Sequence, residues 1–190
     1  TKQLKIMNMK KLIIFLSLII IFPSCENPDN TINFILDNVE QGAVLRTIST
    51  SGDYNYYDQS NSVFTAIIEE HDKDNGSLME SVEIFLSVDG GSEVLFKTLL
   101  PGDFTTGPSG LPRTTFDVGL TDVDNLVGFI GGSTVKIRLK LNLTNGKSFS
   151  DDSVTGTMTG SYFKSPYAYN RLLIVLSQTD LQYQEFTQSA

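Results

Sequence analysis

From residue 41 onward the hydrophobic pattern has a period of two. In 135–143, Val135, Ile137, Leu139, Leu141 and Leu143 alternate with Lys136, Arg138, Lys140 and Asn142. That is a strand with one core face and one wet face. Thr144-Asn145-Gly146-Lys147 follows, and Asn-Gly predicts a hairpin because both residues tolerate positive φ. The return strand is expected near Ser148 and Phe149. Val82, Ile84, Leu86 and Val88 alternate with Ser81, Glu83, Phe85 and Ser87, and Asp89-Gly90-Gly91 then turns the chain into a strand over 93–99. Further strands are expected at 43–49, 62–70, 113–120 and 171–177. The last, R-L-L-I-V-L-S, is apolar on both faces and is expected in a central place. One short helix is expected, with Thr121 as N-cap, Asp124 at N3, and an end at Gly131-Gly132.

Seven or eight short strands with one short helix predict an all-β fold. The expectation is an antiparallel two-layer β-sandwich over 41–190, most simply immunoglobulin-like. One Cys and no Trp exclude the Cys…Trp…Cys core of antibody domains, so the likeness is one of architecture. A closed β-barrel is the rival fold. An outer-membrane barrel is excluded by the charges Lys136, Arg138 and Lys140 on an outward face.

Composition narrows the function classes. A net charge of −8 and a pI near 4.5 argue against nucleic acid as a partner, which calls for a basic patch. A single Cys and a single His leave no intrachain disulfide, Cys-rich zinc site or multi-His centre. The charge is also uneven. Residues 1–24 hold four Lys and no acid, whereas the remainder carries 10 bases against 22 acids.

The basic end runs into an apolar stretch from Leu12 to Phe22, broken only by Ser17. As a helix it would rise about 16 Å, well short of a bilayer core of about 30 Å. A basic region, a short apolar region and a small residue before a cut site describe a secretory signal over 1–24. The chain opens on Thr1, and Met7 or Met9 is the expected start. The tail F-P-S-C places the only cysteine, Cys25, directly after Ser24. This arrangement resembles a bacterial lipoprotein signal, which implies lipidation at Cys25. Phe22 and Pro23 depart from the usual tail and match the looser form typical of Bacteroidota. The alternative is an ordinary signal peptide with an incidental cysteine. Residues 25–40 carry four acids and no base and read as an acidic tether, either a surface-export signal or a plain solvated linker.

Two further stretches, Phe64 to Ser87 and Phe104 to Arg113, together with Ser161 to Tyr169, resemble small Bacteroidota outer-membrane lipoproteins that accompany SusC/SusD-like glycan-uptake systems. The resemblance implies a membrane-anchored β-sandwich accessory protein, with SusC/SusD-like proteins or polysaccharide as partners. It implies no catalytic residues.

Candidate chemistry is sparse. In Glu69-Glu70-His71-Asp72-Lys73-Asp74-Asn75-Gly76, Asp72, Asp74 and Gly76 echo the start of a calcium loop, although the bidentate Glu at position 12 is missing. The alternative is a solvated loop closed by Asn75-Gly76. His71 with Asp72 or Asp74 would serve a hydrolase, but no G-x-S-x-G motif accompanies it. Tyr162, Tyr167 and Tyr169 form a candidate ligand-binding cluster, because flat aromatic side chains with a polar tip suit sugar rings. The i, i+2 spacing of Tyr167 and Tyr169 equally fits one face of a strand. Tyr54, Tyr56 and Tyr57 form a second cluster. The loop from Gly102 to Pro112 reads as stiff and exposed. Asp152-Ser153-Val154 resembles a Bacteroidota O-glycosylation site at Ser153. No cofactor is expected apart from this possible calcium. The leading functional expectation is a non-enzymatic accessory protein, lipid-anchored at the outer membrane. A structural assembly subunit and a hydrolase are the alternatives.

Overall fold

A computed structural model describes residues 42–176. The described chain forms ten strands: β1 (Val44–Ser51), β2 (Tyr54–Asn55), β3 (Val63–His71), β4 (Met79–Val88), β5 (Val94–Leu99), β6 (Thr105–Thr106), β7 (Pro112–Gly119), β8 (Thr134–Leu143), β9 (Ser148–Phe149) and β10 (Ala168–Ile174). One sheet has the order β1-β3-β7-β6; the other runs β2-β10-β8-β4-β5, with β9 paired to β8. Every pairing is antiparallel except the short β2–β10 contact. The protein is therefore an all-β, two-layer sandwich. The order β1-β3-β7-β6 follows ABED and β10-β8-β4 follows GFC of immunoglobulin-like sandwiches, with β5 added beyond β4.

Alternation builds the core. In β8 each odd-numbered residue from Val135 to Leu143 is buried and the even-numbered ones are half-buried. Val82, Ile84 and Leu86 of β4 join them from the same sheet, facing Leu45, Phe64, Ala66, Ile68, Phe116 and Val118. The bases on the outward face of β8 are all paired. Lys136 meets Asp151 at 2.7 Å, Arg138 meets Glu93, and Lys140 meets Glu83 at 3.3 Å. Arg138 also stacks over Phe85, 4.5 Å from the ring centre.

Three local expectations change. The helix, α1 (Leu120–Leu126), starts directly from β7, with the Gly119 N–H donating to the Asp122 carboxylate at 3.2 Å. Leu120 and Val123 bury its apolar side, and Gly128 at φ 66° follows its end. At 144–146 only Gly146 has positive φ, so that turn is not the mirror-image type. Asp89 and Gly90, at φ 51° and 76°, form that turn instead. Finally, β10 begins three residues before its expected start, and its neighbour on one side is only the two-residue β2. Leu172 is accordingly exposed rather than buried.

A groove at the edge of the first sheet: candidate functional site

The outer face of the first sheet carries a line of charge. In register, Arg46 of β1 lies opposite Glu69 of β3, and Glu69 lies opposite Arg113 of β7. The loop from Gly107 to Leu111, closed by a Gly107 N–H to Leu111 C=O bond of 2.8 Å, folds over them. Glu69 is consequently only 1% exposed. Its carboxylate accepts from Ser109 Oγ at 2.5 Å and from Arg113 Nη2 at 2.7 Å and Nε at 3.1 Å. Arg46 Nη2 lies 3.0 Å from the other oxygen, an ionic contact without hydrogen-bond alignment. Burial alone would raise the pKa of Glu69. The Ser109 and Arg113 hydrogen bonds, with the Arg113 and Arg46 charges, outweigh it and hold the carboxyl below its usual range. Gly107 is required at this point, because a Cβ there would stand 2.8 Å from Arg113 Nε and 3.1 Å from Glu69 Oε2.

β1 is an edge strand, and the segment leading into β10 covers that edge. Thr47 N–H donates to the Lys164 carbonyl at 2.7 Å. Ser165 Oγ accepts from Leu45 N–H at 3.0 Å and donates to Leu45 C=O at 2.9 Å. Pairing of this kind blunts an edge that would otherwise recruit another strand. Lys164 and Tyr167 take left-handed φ values of 47° and 55°, a conformation that costs about 1–2 kcal/mol for non-glycine residues. Tyr167 is fully buried and its hydroxyl donates to Ala43 C=O at 3.1 Å. Tyr169 is 8% exposed and shares a 2.7 Å hydrogen bond with Thr47 Oγ1. The proposed ligand-binding cluster therefore divides. Tyr167 and Tyr169 are core residues that tie the two sheets together, as their i, i+2 spacing allowed, and they cannot present a face to a ligand. Tyr162 alone stands out, 83% exposed, with its ring edge-on to Phe163 at 4.9 Å.

Tyr162 and Phe163 overhang the outer face of β1 and β3 and enclose a groove of about 470 Å³, with Arg46, Glu69 and His71 along its floor and wall. A second hollow of about 300 Å³ adjoins it, sharing Arg46, Ser161 and Tyr162 and adding Ile48 and Lys164. Ile48 is the extra residue of a β-bulge between Thr47 and Ser49, a device that re-aims side chains at sheet edges. Among the described residues the His71 imidazole has no hydrogen bond.

The calcium expectation fails on geometry. Asp72 is buried, and its carboxylate is taken up by the loop itself: Oδ1 accepts from the N–H groups of Asp74 (2.7 Å) and Gly76 (2.9 Å), and Oδ2 from that of Leu78 (2.8 Å). Asp74 pairs instead with Lys73 at 2.7 Å. Among the described residues no three His, Cys, Asp or Glu side chains converge on a point that could hold a metal. Asp72 organises a turn, and the positive φ of Asn75 and Gly76 completes it.

Glu70 was hidden in the same polar run. It follows Phe64, Ala66 and Ile68 on the core face of β3, is fully buried, and neither carboxyl oxygen has a hydrogen bond. Burial, assisted by the Asp72 charge, pushes this carboxyl up to about 8. The fold therefore retains a proton that the unfolded chain loses near 4.5. Stability is expected to fall by about 1.4 kcal/mol per pH unit as pH rises from 4.5 to about 8, and to level off above. Urea unfolding at a series of pH values tests this. In Glu70→Gln that slope should disappear.

Ser153 lies exposed in a short 3-10 turn (Asp151–Ser153), its hydroxyl donating to Asp152 Oδ1 at 3.0 Å. Cys25, the expected signal and the tether lie outside the described residues. Among those described, no helix is long and apolar enough to cross a membrane. No protein-family model matches the chain, and no curated protein matches it in sequence. The residues that local sequence signals missed are Arg46, Ser161 and Lys164. They come from strands and loops more than 110 positions apart in the chain, and no spacing rule links them.

Proposed function

We propose that this protein is a non-enzymatic, lipid-anchored accessory protein of the cell envelope that binds glycan in the groove beneath Tyr162 and Phe163. The observation that carries the reading is the exposure of Tyr162 over an open groove, beside a second aromatic ring and hydrogen-bonding side chains. An apolar ring face with polar groups around it is the surface that a sugar's C–H face and hydroxyls call for. Anchorage rests on the placement of Cys25 directly after the signal-like segment. Acyl chains at that residue would hold the domain at the outer membrane.

Tyr162→Ala is expected to weaken polysaccharide binding about tenfold, a loss of the size expected for a stacking contact, as measured by affinity electrophoresis over a panel of polysaccharides. The midpoint of unfolding should not move, because the ring is exposed. Unchanged binding by the variant would sink the groove as the glycan site. Cys25→Ser is expected to shift the protein from the membrane fraction to the soluble fraction. Unchanged fractionation would refute the anchor.

A second reading, docking onto a neighbouring outer-membrane component, is favoured by an apolar cluster where the chain after β2 meets the loop after α1. There Tyr57 and Ile130 are 63% and 73% exposed beside Tyr56 and Phe129. The groove has the better-defined chemistry, and the glycan reading is preferred for that reason.

A further inference from the structure

We infer that the groove selects saccharides bearing an anionic substituent, a carboxylate or a sulfate, with Arg46 and Lys164 as its cationic contacts. The inference rests on the glycan reading above and specifies the class of sugar. The described residues hold 16 acids against 10 Lys and Arg, yet two of these bases, Arg46 and Lys164, line the two hollows with a single acid. That acid, Glu69, is buried and already engaged by Arg113 and Ser109. Arg46, 40% exposed at its side chain, touches Glu69 on one side and opens into both hollows on the other. The Lys164 ammonium has no acid or hydrogen-bond partner among the described residues, and it lines the second hollow. An arginine fork and a free ammonium lining one hollow with an aromatic ring form a fitting receptor for an oxyanion carried on a sugar ring.

The position of Lys164 is held firmly. Its carbonyl accepts from Thr47 N–H at 2.7 Å, and its own N–H donates to Gly160 C=O at 2.9 Å. Its left-handed φ of 47° is thus fixed from both sides, which roots the side chain at the groove. A conformation this costly persists only where the surroundings enforce it. The wider domain is acidic and repels polyanions at long range. Preference for an acidic sugar would therefore have to come from the local cationic pair, acting in a partly enclosed cleft where charge interactions are stronger than in open water.

The test uses the full chain in non-ionic detergent, titrated with polygalacturonate (carboxylate only), dextran sulfate (sulfate only) and neutral dextran. At least one acidic polymer is expected to bind about tenfold more tightly than dextran, as one added charge-assisted contact requires. Which of the two does so identifies the substituent. In Lys164→Met, an exposed and unpaired position, the ratio of acidic to neutral binding should drop towards one, and the same should hold in Arg46→Met/Lys164→Met. Equal binding of all three polymers by the unaltered chain would overturn the inference and leave the glycan reading standing. A ratio unchanged in both variants would overturn the assignment of Arg46 and Lys164. Binding of none of the three would overturn the inference and the glycan reading together.

Discussion

Tyr167→Ala is expected to destabilise the domain by about 3–5 kcal/mol, the range for removing a large buried aromatic side chain. The ring is fully buried and its hydroxyl reaches across to Ala43. Two losses add. A cavity opens between the sheets, and the Ala43 carbonyl loses its donor inside the core. Tyr167→Phe separates them, since it keeps the ring and removes only the hydrogen bond, at about 1–2 kcal/mol. Chemical denaturation of the two variants measures both quantities. A near-neutral Tyr167→Ala would mean that the residue faces solvent, and the division of the tyrosines into one surface ring and two core rings would be wrong. The contrast with Tyr162→Ala is sharp, because the same substitution five residues earlier should leave stability untouched.

Arg113→Met is expected to cost about 3 kcal/mol or more, because removing one partner strands a buried carboxylate. Glu69 would keep Ser109 and the unaligned Arg46 contact but lose both Arg113 hydrogen bonds. The pH dependence gives a second readout. In the parent chain the folded Glu69 ionises below its unfolded value of 4.5. Its contribution is therefore complete above that value and is lost as pH falls through the folded value. Arg113→Met should shrink this acid-side loss of stability, because its carboxyl no longer holds a lowered value. The double variant Glu69→Gln/Arg113→Met should recover part of the stability, since no charge is then buried unpaired. Retention of full stability in Arg113→Met alone would show that the carboxylate is not enclosed as described.

Glu69 and Glu70 show where a one-dimensional pattern stops being informative. Both end the strand expected over 62–70, at the start of a polar run that continues as a loop, and β3 extends one residue further, through His71. Parity alone, counted from Phe64, assigns Glu70 to the core face, but parity cannot supply the reason a carboxyl is tolerated there. Glu69 has the parity of an outward residue and is buried all the same. A loop from 107–111 closes over it, and the alternation of β3 carries no information about that loop. Asp72 is the converse case. Its spacing to Asp74 and Gly76 suits a cation, and in the folded chain the same oxygens are saturated by the backbone N–H groups of Asp74, Gly76 and Leu78.

The sequence by itself determined the all-β class, the seven principal strands and the alternation that makes each one half-buried, because side chains on a strand alternate between two environments. It also singled out Cys25 by its position after an apolar run. Tertiary structure decided that Tyr167 and Tyr169 are core and Tyr162 is surface, and it brought Arg46 together with Lys164 across 118 positions of chain. The physical reason is the same in each case. Strand periodicity is local and written residue by residue, whereas burial of an outward face and assembly of a groove depend on which loop closes over which sheet edge.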